Sequence, residues 1–188
     1  MSFETAYALV ACFEGGYVNN PQDPGGETYA GISRVHHPDW DGWAEIDRAK
    51  PFTAFPLALR LALEAPVQAF YRREYWQALR CPAIEAMATA GRDIACELFE
   101  ASVNCGKKNG VKFLQRAVNR LSGKSRPALV CDGVIGDRTL AALKDCLERP
   151  GYTTLLLRCM NGEQYIHYVS WPGHQEFPGV FARTGGAL

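Results

Sequence analysis

The sequence predicts a mainly α chain of α+β class, with one small β-hairpin next to the first helix. Three observations predict it. Apolar residues recur at helical spacing through most of the chain. Residues 17–35 break that period with Gly, Asn, Pro and Asp around short extended runs. The composition, 188 residues with 47% hydrophobic and 21% charged, is globular, and a chain of this length buries about 70% of its unfolded surface.

Phe3, Tyr7, Val10 and Glu14 fall at i, i+4, i+7 and i+11, one stripe of a helix over residues 3–13. Gly15-Gly16 ends it, since glycine suits the position after a helix. Extended pieces at Tyr17-Val18 and over residues 29–32 predict a hairpin or small irregular sheet with long turns. Residues 36–55, with Pro38, Trp40, Trp43 and Pro51, read as an irregular loop. Helical patterns return over 56–64 and 66–79, where Pro66 suits a first-turn position. A single helix is expected over 83–103, with Ile94, Leu98 and Val103 inward.

Residues 107–121 are two-sided. Val111, Leu114, Val118 and Leu121 form one face, and Lys108, Lys112, Arg116 and Arg120 form an i+4 stripe on another. That stripe is either a contact for an anionic polymer or a solvated face. Asp132-Gly133-Val134-Ile135-Gly136 reads as a tight turn, with Asp137 capping a helix to about residue 147. A last helix covers 152–169, and the tail 171–188 is rich in Gly and Pro.

Several function classes fail early. No run approaches the roughly 18 apolar residues of a membrane span. Met1-Ser2-Phe3-Glu4 has no basic segment before its apolar run, so synthesis in the cytoplasm without a signal peptide is expected. Seven cysteines, an odd number with no CxxC, and four histidines with no HExxH argue against a metal site, and no metal or cofactor is expected. Most cysteines sit among apolar neighbours, where a free thiol behaves as a small hydrophobe. Gly123-Lys124-Ser125 resembles the end of a P-loop, but position 118 is Val where that motif requires Gly.

The informative stretch is Phe13-Glu14-Gly15-Gly16-Tyr17, followed by Asp23-Pro24-Gly25-Gly26-Glu27-Thr28-Tyr29-Ala30-Gly31-Ile32. A glutamate closing an apolar helix has its ionised form disfavoured by burial and by the negative end of the helix dipole. Both raise its pKa, as a general acid needs near neutral pH. Asp23, on a solvated loop, stays ionised. Two carboxyls with pKa values driven apart are the working pattern of glycoside hydrolysis.

These motifs resemble the N-terminal signature of the glycoside hydrolase 108 family, lysozyme-like N-acetylmuramidases of bacteria and phages. The resemblance continues at Phe70-Tyr71-Arg72-Arg73-Glu74-Tyr75-Trp76, at Val103-Asn104-Cys105-Gly106, at Leu114-Gln115-Arg116-Ala117-Val118-Asn119 and at Asp132-Gly133-Val134-Ile135-Gly136-Asp137-Arg138-Thr139. It implies a lysozyme-like helical fold. Residues 1–100 would form the catalytic region and 101–188 a helical peptidoglycan-binding region, packed as one compact unit. It implies cleavage of the β-1,4 bond between N-acetylmuramic acid and N-acetylglucosamine, with Glu14 as general acid and Asp23 and Thr28 assisting. The Glu, Asp, Thr order is similar to that of phage-type lysozymes. Tyr17, Tyr29 and Asn104 are candidate substrate-binding residues. Asn104 is placed either to bond an N-acetyl group or to cap a helix before Gly106, and Trp40 and Trp43 are either cleft or core rings.

The alternatives are a lytic transglycosylase using the same acid, and a non-catalytic peptidoglycan-binding or regulatory protein. The expected partner is peptidoglycan, reached by a holin or a secretion-system route, with the protein a monomer acting on the cell wall. Nucleic acid is not expected, because the basic helix lacks interleaved aromatics. The formal net charge is zero, yet residues 1–100 hold eight basic and fourteen acidic groups, a net of −6, and residues 101–188 hold twelve and six, a net of +6. The basic half is where an anionic wall would bind, and salt would weaken such binding.

Overall fold

Helix α1, Ser2–Ala11, carries Phe3, Ala6 and Val10 at i, i+3 and i+7 and buries all three. The structure is a computed structural model that describes residues 2–11, 15–20, 25–87, 91–123 and 127–170. The remaining helices are α2 Gly42–Ala49, α3 Leu57–Tyr71, α4 Cys81–Glu85, α5 Gly91–Cys105, α6 Lys107–Ser122, α7 Asp137–Leu147 and α8 Tyr152–Ser170. Between α1 and α2, strands β1 Tyr17–Asn19, β2 Glu27–Tyr29 and β3 Ile32–Ser33 pair antiparallel in the order β1-β2-β3. The mainly α expectation holds, and the expected hairpin gains a third short strand.

Contacts divide the chain into two compact units, Tyr7–Glu74 and Met1–Ala6 with Tyr75–Leu188. The division set from motifs falls at residue 100, which lies inside α5.

In the unit Tyr7–Glu74, the segment expected to be an irregular loop contains α2. Trp43 and Ile46, at i and i+3, are both buried, and Trp43 Nε1 donates to the His37 carbonyl at 2.8 Å. Two apolar residues in an eight-residue helix are too few to show a period in sequence. Trp40 and Trp43 are both core rings here.

The expected break at Pro66 is also corrected, because α3 runs through it. An interior proline costs about 3 kcal/mol. Leu59, Leu63, Val67 and Phe70 lie at i, i+4, i+8 and i+11 and are all buried. Each is worth roughly 1.5–3 kcal/mol, so the stripe outweighs the proline. A π-helical turn, Arg72–Gln77, follows directly and carries buried Trp76.

In the unit containing Tyr75–Leu188, Phe99 is fully buried between the edges of Phe3 and Trp76, with ring centroids at 5.9 and 5.6 Å. The single helix expected over 83–103 is two helices. A Cβ on Gly91 would lie 2.1 Å from the Ile84 carbonyl oxygen, so α5 starts against the backbone of α4 and only glycine fits. Helices α5, α6 and α8 pack on one another, with α7 against α6 and α8.

The two C-terminal motifs bond to each other. Gln115 on α6, almost fully buried, donates to Asp132 Oδ1 at 2.9 Å and accepts from Gly133 N at 3.0 Å. Asn119 brackets Leu129, accepting from its N–H at 2.7 Å and donating to its carbonyl at 2.9 Å. Asp137 is not the cap expected of it. Gly136 holds that position, and Asp137 opens α7 and pairs with Arg80 at 2.7 Å.

The basic stripe of α6 is partly consumed inside the fold. Arg116 bonds Glu163 on α8 at 2.8 Å, and Arg120 bonds the other oxygen of the same buried carboxylate. Lys107 lies over the Tyr75 ring at 5.3 Å.

Candidate active site

The sheet is built around a two-residue turn. Tyr29 pairs with Ile32, leaving Ala30 and Gly31 at φ +46° and +75°. Both positive angles fit a type I′ turn, where glycine is free and alanine is strained. The Tyr71 hydroxyl donates to the Ala30 carbonyl at 2.9 Å and fixes the turn against α3.

The sheet is tied to α2 by charge. Glu27 on β2, whose side chain is only 11% exposed, meets Arg34 at 2.8 Å and Lys50 at 2.6 Å. The Tyr17 hydroxyl donates to it at 2.8 Å. Arg34 grips Asp47 with both terminal nitrogens, at 2.8 and 2.5 Å, and Lys50 also reaches Asp47 at 2.8 Å. Burial works to raise the pKa of Glu27, but bonds from Lys50, Arg34 and Tyr17 outweigh it and hold the carboxyl below its ordinary value of 4.5. Glu27 is thus kept ionised and is unsuited to donate a proton.

This network sets an acid limit on stability. A carboxyl with a lowered folded pKa contributes stability that is fully present above its unfolded pKa, and the contribution is lost as pH falls through the folded value. The melting temperature of wild type should therefore fall faster than that of Glu27→Gln once pH drops below the ordinary glutamate value of 4.5. Parallel melts from pH 7 to 2.5 check this, and curves that stay a constant distance apart would remove Glu27 from the account.

Tyr17 and Tyr29, which share a face of the sheet with Glu27, line a cavity of about 650 Å³ within the unit Tyr7–Glu74. Its aromatic wall is Tyr17, Tyr29 and Phe55. Phe55 stacks on Tyr17 at 5.2 Å and on Tyr29 at 4.8 Å. Tyr29 also stacks on Trp40 at 6.2 Å. Helix α3 supplies the opposite charges Arg60 and Glu64 together with Leu57 and Leu61. Gly15 and Gly16, the two residues that follow Glu14 in the chain, complete the lining together with Tyr7 and Tyr71.

Of the site residues expected from sequence, Tyr17 and Tyr29 meet in this wall. Thr28 is not among the lining residues. It sits beside Tyr29 on the central strand, opposite Val18 and Ser33, and alternation turns it away from the face of Tyr29. Its hydroxyl donates to the Gly26 carbonyl at 3.4 Å, while Ser33 donates to Gly25 at 2.6 Å. The two hydroxyls hold the turn that follows Asp23. Glu14 and Asp23 lie outside the described residues. Asn104 belongs to the other unit, on α5, and donates to the Tyr168 hydroxyl.

Sequence reasoning missed Arg60 and Glu64. The signal was present as Leu57, Arg60, Leu61 and Glu64 at i, i+3, i+4 and i+7, a second face of a helix read only for its apolar stripe. Among the described residues no cluster of His, Cys, Asp or Glu is placed to hold a metal. No described helix is long and apolar enough to cross a membrane.

A family model described as Glycosyl hydrolase 108 matches residues 7–106. The solved structure of Brucella abortus SagA is similar over 100% of this chain and 94% of that chain, at 22% identity and a TM-score of 0.65. At that identity the likeness concerns the fold. No curated protein matches the chain.

Proposed function

Because the chain belongs to the glycosyl hydrolase 108 family, and is therefore a glycoside hydrolase, we propose that it is an N-acetylmuramidase acting on peptidoglycan. The bond cut is the β-1,4 link from N-acetylmuramic acid to N-acetylglucosamine. The observation that carries this reading is the cavity. Its volume of about 650 Å³ suits a saccharide segment, and its wall of stacked rings offers flat faces to pyranose C–H groups. Gly15 and Gly16 in that wall directly follow Glu14.

In this reading Glu14 protonates the glycosidic oxygen as the bond breaks, and positive charge spreads over C1 and the ring oxygen. Asp23 stabilises that charge or positions the attacking water. Thr28 assists through the backbone, bonding Gly26 and so holding the Gly25-Gly26 turn, which follows Asp23 in the chain. Glu27, held ionised by Arg34 and Lys50, maintains the sheet. Two-carboxyl chemistry of this kind is complete without a metal or cofactor.

Mass spectrometry of purified peptidoglycan digested by wild type, after borohydride reduction, tests the reading. A muramidase leaves reduced muramitol ends. Anhydromuramyl ends would make the protein a lytic transglycosylase, reduced glucosamine ends would move the cut to the other bond, and an undigested wall would leave only binding.

A further inference from the structure

Helix α3 has two faces with different fates. One buries Leu59, Leu63, Val67 and Phe70. The other carries Leu57, Arg60, Leu61 and Glu64 along the cavity. Leu57 and Leu61 are 68% and 64% exposed, an apolar pair left in solvent beside two charges.

The charges are also unspent. Arg34, Arg48 and Arg73 of the same unit are each paired with a carboxylate. Arg60 makes no ion pair with a described residue, although Glu64 lies one turn away at i+4. Both act on the Tyr29 hydroxyl, Arg60 favouring its ionised form and Glu64 opposing it, so the two charges and the phenol converge on one region of the cavity. A guanidinium with no ion pair among the described residues, over an apolar floor, is built to take an anion. A nearby carboxylate accepts hydrogen bonds from hydroxyl or amide groups.

We propose that Arg60 reads a carboxylate on the 3-O-lactyl arm of the muramyl residue, while Glu64 accepts from a neighbouring sugar hydroxyl or acetamido N–H. The proposal rests on the muramidase reading and names its specificity determinant. The carboxylate has two sources of shared chemistry: the lactyl group itself in strands stripped of peptide, and the stem peptide in intact material. The opposite charges one turn apart give the glycan a direction along α3. They select anionic muramyl chains over neutral glycans of the same backbone.

The test measures KM and kcat by reducing-end release for wild type, Arg60→Ala, Arg60→Lys and Glu64→Gln. Substrates are soluble uncrosslinked peptidoglycan and peptide-stripped strands, each with carboxylates free or amidated with methylamine. Arg60→Ala should raise KM about tenfold on free-carboxylate substrate, the worth of one charge-assisted bond. Its kcat should be little changed, and its KM on amidated substrate should equal that of wild type. Arg60→Lys should recover most of the loss. An effect on stripped strands assigns the lactyl carboxylate, and an effect confined to intact material assigns the stem. Glu64→Gln should raise KM a few-fold (~3-fold) on every substrate alike.

Equal KM for Arg60→Ala and wild type on both free-carboxylate substrates overturns the role of Arg60, as does an equal rise on amidated ones. An unchanged KM for Glu64→Gln overturns the role of Glu64. These outcomes leave the muramidase reading standing. A wild type that releases no reducing ends from any substrate overturns that reading and this proposal with it.

Discussion

Glu14→Gln is expected to lose about 10²–10⁴-fold in kcat on peptidoglycan, the usual worth of a positioned general acid, while the melting temperature and sedimentation with cell walls stay close to wild type. Glutamine keeps the size and hydrogen-bonding capacity of the side chain and removes only the transferable proton. The expectation follows from the residue's place in the chain. The apolar periodicity before it and Gly15-Gly16 after it predict a carboxyl at a helix end, a position where burial and the dipole would both favour the protonated form. Gly15 and Gly16 then line the cavity. Reducing-end release by purified variant and wild type decides the matter, and a Gln variant that clears the wall at the wild-type rate ends the assignment. Glu27 is the natural control. Its carboxyl is held ionised by three donors, so Glu27→Gln lowers stability near neutral pH, by a difference that closes in acid, and leaves the proton donor in place.

Glu97→Gln is expected to stabilise the protein at neutral and alkaline pH, by on the order of 3 kcal/mol at pH 8.5. Glu97 lies on α5 in the core of the unit Tyr75–Leu188, and its Oε1 has no hydrogen-bond partner among the described residues. Burial, and then the Glu100 carboxylate one turn on, push its pKa up to about 8. Gln164 on α8 bonds the Glu100 carboxylate at 3.3 Å. The sign follows from proton counting. Between the ordinary glutamate pKa of 4.5 and about 8 the folded state holds one proton more than the unfolded chain, so wild type loses stability as pH rises through that window. Glutamine is neutral throughout and escapes the loss. Urea midpoints at pH 4, 6 and 8.5 should show the variant and wild type together at the lowest pH and diverging upward. A gap of constant size would show that the effect is packing and not ionisation.

How much of this was legible in the sequence depends on the length of the pattern. Helices α1, α6, α7 and α8 were readable because each repeats its apolar period over several turns, so the signal accumulates. Helix α2 was not, since Trp43 and Ile46 supply only one repeat and their burial comes from partners elsewhere in the chain. Proline at 66 gave a local stop signal that four buried residues of α3 overrode. The start of α5 depends on a close approach between Gly91 and Ile84, which no spacing rule encodes. Among the cavity-lining residues, Tyr17 and Tyr29 were singled out because they belong to a motif with fixed spacing. Arg60 and Glu64 were passed over because an i, i+4 charge pair on a helix face is ordinary until a cavity is seen beside it.

Charge shows the same divide. The sequence alone determined the helical class, the order of the motifs and the contrast between an acidic first half and a basic second half. Only the tertiary structure decided which charges are available to a ligand. Arg116 and Arg120, half of the basic stripe, are held by the buried Glu163. Arg34 and Lys50 are held by Glu27 and Asp47, while Arg60 stays open on the cavity. The physical reason is range. Periodicity and composition act between near neighbours along the chain, whereas an ion pair falls off within a few ångströms in space and forms between residues as far apart in sequence as 116 and 163.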